Sequence, residues 1–189
     1  MKAKELYQIL ETRLRPLLAE RDFKKQKRSR LTFQRRVGNN YQSVWFQSDK
    51  YGWDKYAGGK FFVNFTVSES ADVEAGSRRD ERLNFFLTDS ELERARALQD
   101  EIVKRIPRPP DSYFDELEAG FTKSVGPESA ATLIQTVRSQ FEPQPHPFRR
   151  NQDFGLRFWR RGDVEGWAAF IAPLLHRAIL QMQSWELLS

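Results

Sequence analysis

Few side chains in this sequence have the types and spacing that chemistry needs. Its 189 residues include two histidines and no cysteine. Without cysteine there is no disulfide framework, thiolate zinc site, iron–sulfur cluster or cysteine nucleophile. His146 stands among prolines and His176 between Leu175 and Arg177, and neither has a carboxylate or second histidine at ligand spacing. No G-x-S-x-G, P-loop, G-x-G-x-x-G or H-E-x-x-H pattern occurs. The carboxylates Glu91, Glu93, Asp100 and Glu101 alternate with Arg94, Arg96, Lys104 and Arg105, as on a solvated helix face. Asp111, Asp115, Glu116 and Glu118 add an acidic patch. These residues nominate no metal site, no cofactor and no catalytic group. An enzyme site assembled only by the fold is the weakest of three readings.

Charge is the remaining signal. Lys24, Lys25, Lys27, Arg28, Arg30, Arg35 and Arg36 fall in one short segment that has no acid. The whole chain carries +5, so the remainder is net acidic and the basic character is local. Trp45, Phe46, Tyr51, Trp53 and Tyr56 follow closely. The candidate binding set is Lys24, Lys25, Lys27, Arg28, Arg36, Tyr51, Trp53 and Tyr56. Such a set suits an acidic protein surface, the first reading, or single-stranded nucleic acid, the second. The alternative is a solvated loop and strand edge, where lysines block unwanted sheet pairing. A second cluster, Arg149, Arg150, Arg157, Arg160 and Arg161, merges with the first if its strand pairs nearby.

Three runs must position these groups: Leu31–Val37, Tyr41–Gln47 and Phe61–Val67. Phe61, Val63, Phe65 and Val67 alternate with Phe62, Asn64 and Thr66, the period of a half-buried strand. Trp45 is expected inward with Phe61, Val63 and Phe65. Arg35 shares its parity with Leu31 and Phe33, so it should lie at a frayed edge or meet a carboxylate of a covering helix. Phe154, Leu156 and Phe158 suggest a fourth strand, while residues 80–87 read equally as helix or strand.

A helix over about Lys2–Arg21 carries a leucine stripe interrupted by Pro16. Thr88 and Glu91 form a capping-box pattern for a helix that Pro107 must end. Shorter helices follow over Ser112–Phe121 and from Pro127 to about Phe141. Glu142–Pro147 reads as an extended connector. Asp163 can cap a last helix containing Pro173. The expected architecture is a single α+β domain over residues 1–189: an antiparallel sheet of about four strands, with the long N- and C-terminal helices on one face. The longest uncharged apolar run, Gly166–Leu175, is too short for a bilayer. With no secretory signal in the N-terminal residues, this predicts a soluble cytoplasmic protein.

The order Leu14-Arg15-Pro16-Leu17-Leu18 to Asp22-Phe23-Lys24-Lys25, then Phe33-Gln34-Arg35, Val44-Trp45-Phe46-Gln47-Ser48 and Phe61-Phe62-Val63-Asn64-Phe65, resembles the bacterial family catalogued as domain of unknown function 4304. The resemblance covers roughly Leu6–Val67. It implies a small bacterial α+β domain with no established activity and suggests a setting in defence or immunity. It places no catalytic residue on this chain. Asp22 stands where the family usually has glycine before phenylalanine, which predicts a different helix exit.

Overall fold

The computed structural model describes residues 1–28, 30–50, 52–72, 77–139, 141 and 155–185. Strands β1 (Lys24–Lys25), β2 (Leu31–Val37), β3 (Asn40–Ser48), β4 (Gly59–Ser68) and β5 (Ser77–Arg82) lie side by side in that order. A sixth, β6 (Leu156–Phe158), also pairs with β4, and every pairing is antiparallel. β4 meets β3 from Phe61 to Ser68. Its other edge is divided: Gly59–Phe61 takes β6 and Asn64–Ser68 takes β5.

Among the described residues the sheet therefore has six strands rather than about four. β1 is two residues long, and β5 reads Ser-Arg-Arg-Asp-Glu-Arg, with no apolar residue to alternate. Edge strands of this kind leave no hydrophobic period in the sequence. Residues 80–87 prove to be the end of β5 followed by a 3-10 turn over Leu83–Phe86.

Register decides which side chains share a face. Leu31, Phe46 and Val63 form one rung, and Phe33, Val44 and Phe65 form the next. All six are 4% exposed or less. They share a core with Leu6, Leu10, Leu14 and Leu18 of helix α1 (Ala3–Ala19). Trp167, Ile171 and Leu175 of the last helix complete it. The terminal helices thus cover this face, as a one-sided apolar sheet requires.

Trp45 departs from expectation. It is buried, but on the opposite face, across from Asn64. Trp45-Phe46 must send one ring to each side, and Phe46 keeps the parity of Val44. The polar face suits the indole, whose Nε1 donates to Thr66 Oγ1 at 2.9 Å.

Helix α1 ends in a Schellman motif: Phe23 N donates to Leu18 O at 3.1 Å and Asp22 N to Ala19 O at 3.0 Å. Leu18 and Phe23 are both buried, the usual apolar contact of that motif. Asp22 adopts φ 64°, a left-handed conformation. The helix exit is therefore left-handed without a glycine. Asp22→Gly is expected to raise unfolding stability by about 0.5–1 kcal/mol, because the Cβ strain disappears. A loss of stability on urea titration would show that the Asp22 side chain contributes more than its strain costs.

Helix α2 (Asp89–Arg105) starts with the Thr88–Glu91 capping box. Arg177 Nη1 and Nη2 bond the Glu91 carboxylate at 3.1 and 2.5 Å. Arg177 and the Thr88 hydrogen bonds hold that carboxyl down to about 2, against the opposing effect of burial. Helix α3 (Asp111–Val125) is longer than expected and ends at Gly126, whose φ is 85°. It packs mainly on α4 (Pro127–Ser139). Helix α5 (Arg161–Ser184) is capped by Asp163 from its third position, not from the N-cap. Pro16 and Pro173 lie within α1 and α5 on their exposed sides. The proline connector, His146, Arg149, Arg150 and Phe154 lie outside the described residues.

Candidate anion-binding groove

The left-handed turn at Asp22 lays the chain down as β1 along the outer edge of β2. Lys24 is opposite Gln34 and Lys25 opposite Phe33, so the two lysines point to opposite faces. Gln34 and Arg36 share a parity, and Arg36 is opposite Tyr41. Lys24, Gln34, Arg36 and Tyr41 thus meet on the face away from α1 and α5. With Asp22, Gln26 and Arg35 they bound a groove of about 400 Å³.

Of the basic residues marked by sequence, Lys24 and Arg36 are brought together here, and both are exposed. The Lys24 ammonium has no partner among the described residues. Arg36 Nε donates to Gly38 O at 3.2 Å, and its guanidinium lies 5.9 Å from the Tyr41 ring centroid. Lys27 is exposed in the loop between β1 and β2. The other two are engaged elsewhere. Lys25 Nζ lies 2.5 Å from Glu11 Oε2 on α1. Arg28 Nη1 lies 3.0 Å from Asp72 Oδ1, and its Nη2 donates to Ala71 O.

The groove floor is polar but satisfied. Gln34 Nε2 donates to Ser43 Oγ at 3.0 Å and to Ala71 O at 2.9 Å. Arg35 lies just past the end of β1 and turns to neutral oxygens. Its Nη1 donates to Arg21 O at 3.0 Å, and its Nε and Nη2 donate to Gln42 Oε1 at 3.0 and 2.7 Å. The guanidinium lies 4.8 Å from the Phe23 ring centroid. Arg35 thus caps the exit of α1 and pins the groove's inner wall.

The aromatic candidates belong to another part of the fold. Trp53 Nε1 donates to Trp159 O at 3.0 Å. The Tyr56 ring packs on Tyr113 at 4.9 Å. Asp54 Oδ1 accepts from the backbone of Tyr56 and Ala57 at 2.7 and 2.9 Å, which folds this loop back on itself. Tyr51 lies outside the described residues. On the groove's own sheet face, each aromatic ring carries an arginine. Arg36 lies over Tyr41, Arg30 over Trp45 at 5.4 Å and Arg82 over Phe62 at 4.2 Å. Arg157 does not join the basic segment, because β6 pairs with β4 and β3 intervenes before β2.

Gln26, Gln34 and Tyr41 are groove residues that charge alone does not mark; the shared parity of Gln34 and Arg36 is the signal that finds Gln34, whereas Tyr41 follows from the β2–β3 register. Lysine, arginine, amide and phenol donors around one depression can hold carboxylate or phosphate oxygens. Asp22 at the rim works against a dense anion. Among the described residues no group of three or more histidines, aspartates or glutamates gathers as a metal site. Among the described residues no helix is long and apolar enough to cross a membrane. Compared with protein-family models, with curated proteins and with solved structures, the chain gives no match.

Proposed function

We propose that this chain is a non-catalytic binding domain that holds an acidic segment of another protein in the groove between β1 and the β2–β3 hairpin. The observation that carries this reading is the convergence of Lys24 and Arg36 on one groove with the neutral donors Gln26 and Tyr41. Lys27 adds an exposed charge at its approach. Carboxylates need such donors and no ring. Single-stranded nucleic acid also needs open ring faces to stack its bases. Here Tyr41, Trp45 and Phe62 lie under arginines, Tyr56 packs on Tyr113, and Trp53 lies away from the groove, hydrogen-bonded to Trp159 O. The likeness of residues 6–67 to an uncharacterised bacterial family, and the defence or immunity setting it suggests, belong to the same proposal.

The test titrates a glutamate-rich peptide and a single-stranded oligonucleotide against the full chain across a salt series. The peptide is expected to bind at low salt and weaken as salt rises. Reversal of Lys24, Lys27 and Arg36 to Glu is expected to abolish that binding. Each exposed change should move stability by only about 0.5 kcal/mol. Lys25 and Arg28 are left intact because their reversal would break the contacts to Glu11 and Asp72. Peptide binding retained by the triple variant would sink the reading. Tight oligonucleotide binding with a steep salt slope would replace it with nucleic-acid recognition.

A further inference from the structure

A second depression lies between α2, the link from α2 to α3, Phe141 and β6. It has a volume of about 360 Å³, within the range of about 300–1,000 Å³ typical of small-molecule sites. Val103, Ile106 and Phe141 give it apolar sides. Three cations, Lys104, Arg108 and Arg157, line it against one carboxylate, Asp100. Asp100 is drawn to Arg96 at 3.6 Å, and Lys104 to Glu101 at 2.7 Å. The charged lining not engaged in these pairs is Arg108 and Arg157.

Two features point to an anion here. Arg157 is 6% exposed and stands directly across the ladder from Lys60. Like charges opposed across a ladder disfavour each other. Burial pulls the Lys60 ammonium below its ordinary value, the Arg157 charge adds to this, and Asp49 opposes it. The second feature is Arg108, which is exposed and has no partner among the described residues. It sits in Ile106-Pro107-Arg108-Pro109-Pro110, where Pro109 is buried. Prolines on both sides restrict its backbone, which fixes where the side chain leaves the chain at the opening. A planar guanidinium at that place matches a carboxylate or phosphate edge.

We infer that this depression binds a small organic anion, a carboxylate or phosphate carried on an apolar ring or chain, with Arg108 on the charge and Val103, Ile106 and Phe141 on the body. The site is separate from the groove and independent of what the groove holds.

Calorimetric titration of the full chain with phenyl phosphate and with benzoate tests it, the two arms separating phosphate from carboxylate. At least one is expected to saturate a single site. Arg108→Ala should weaken it by about tenfold or more, the loss of a charged hydrogen-bonded contact. Inorganic phosphate should bind more weakly than phenyl phosphate, because it leaves the apolar sides unused. Lys24→Glu, in the groove, should change nothing. Arg108 is exposed, so its alanine variant should melt as the parent does. The inference is overturned if neither probe saturates, if Arg108→Ala binds as the parent does, or if inorganic phosphate matches phenyl phosphate.

Discussion

Phe65→Ala is expected to cost about 3–5 kcal/mol in denaturant unfolding. Phe65 is 0% exposed at the middle of β4, with Val44 across one edge and Glu81 across the other. Its ring meets Phe86 at 4.6 Å in a T-shaped contact, joining the sheet to the 3-10 turn that leads into α2. Truncation removes the transfer free energy of the ring and leaves a cavity that rigid neighbours only partly close. Total stability of about 5–15 kcal/mol is usual, so the variant should be near unfolding at physiological temperature. A cost below about 1 kcal/mol would mean that the odd-numbered face of β4 is not the core face.

Asp163→Ala should have the next largest effect, about 2–4 kcal/mol, read as a lowered urea midpoint. Asp163 is 5% exposed. Its Oδ2 accepts from Trp159 N at 2.9 Å and Arg160 N at 3.0 Å, and its Oδ1 from Arg105 Nη2 at 2.8 Å. One carboxylate thus turns the chain from β6 into α5 and ties both to the end of α2. The Arg105 side chain is 43% exposed, so the ion pair itself adds little. The cost comes chiefly from two backbone N–H groups left without their acceptor. Asp163→Asn keeps a carbonyl oxygen for those donors and should cost less than alanine. A loss under about 0.5 kcal/mol for the alanine variant would show that water replaces the carboxylate, and that the corner does not depend on it.

Much of the fold is legible where a local pattern answers to a local cause. Phe61, Val63, Phe65 and Val67 mark β4 because side chains alternate across a strand. Thr88 and Glu91 mark the start of α2, and Pro107 its end, because caps and prolines act within one helical turn. Asp22 shows the limit of such inference. Its type argues against a left-handed exit, yet the buried contact between Leu18 and Phe23 holds it there. β5 has no apolar residue to mark it, and Trp45 and Phe46 both suit a core, so only register separates them.

The candidate sites follow the same division. The sequence by itself determines that a cation-rich segment joins α1 to β2, and that Phe61, Val63, Phe65 and Val67 belong to one face of a half-buried strand. Only the tertiary structure decides that Lys24 and Arg36 share a groove while Lys25 turns to Glu11 and Arg28 to Asp72. It also decides that β6 lies against β4, which takes Arg157 away from the basic segment and toward Arg108. The physical reason is range. Alternation and capping are settled by neighbours a few residues apart, whereas strand order, ion pairs and cavities depend on which distant segments the burial of the whole apolar face brings together.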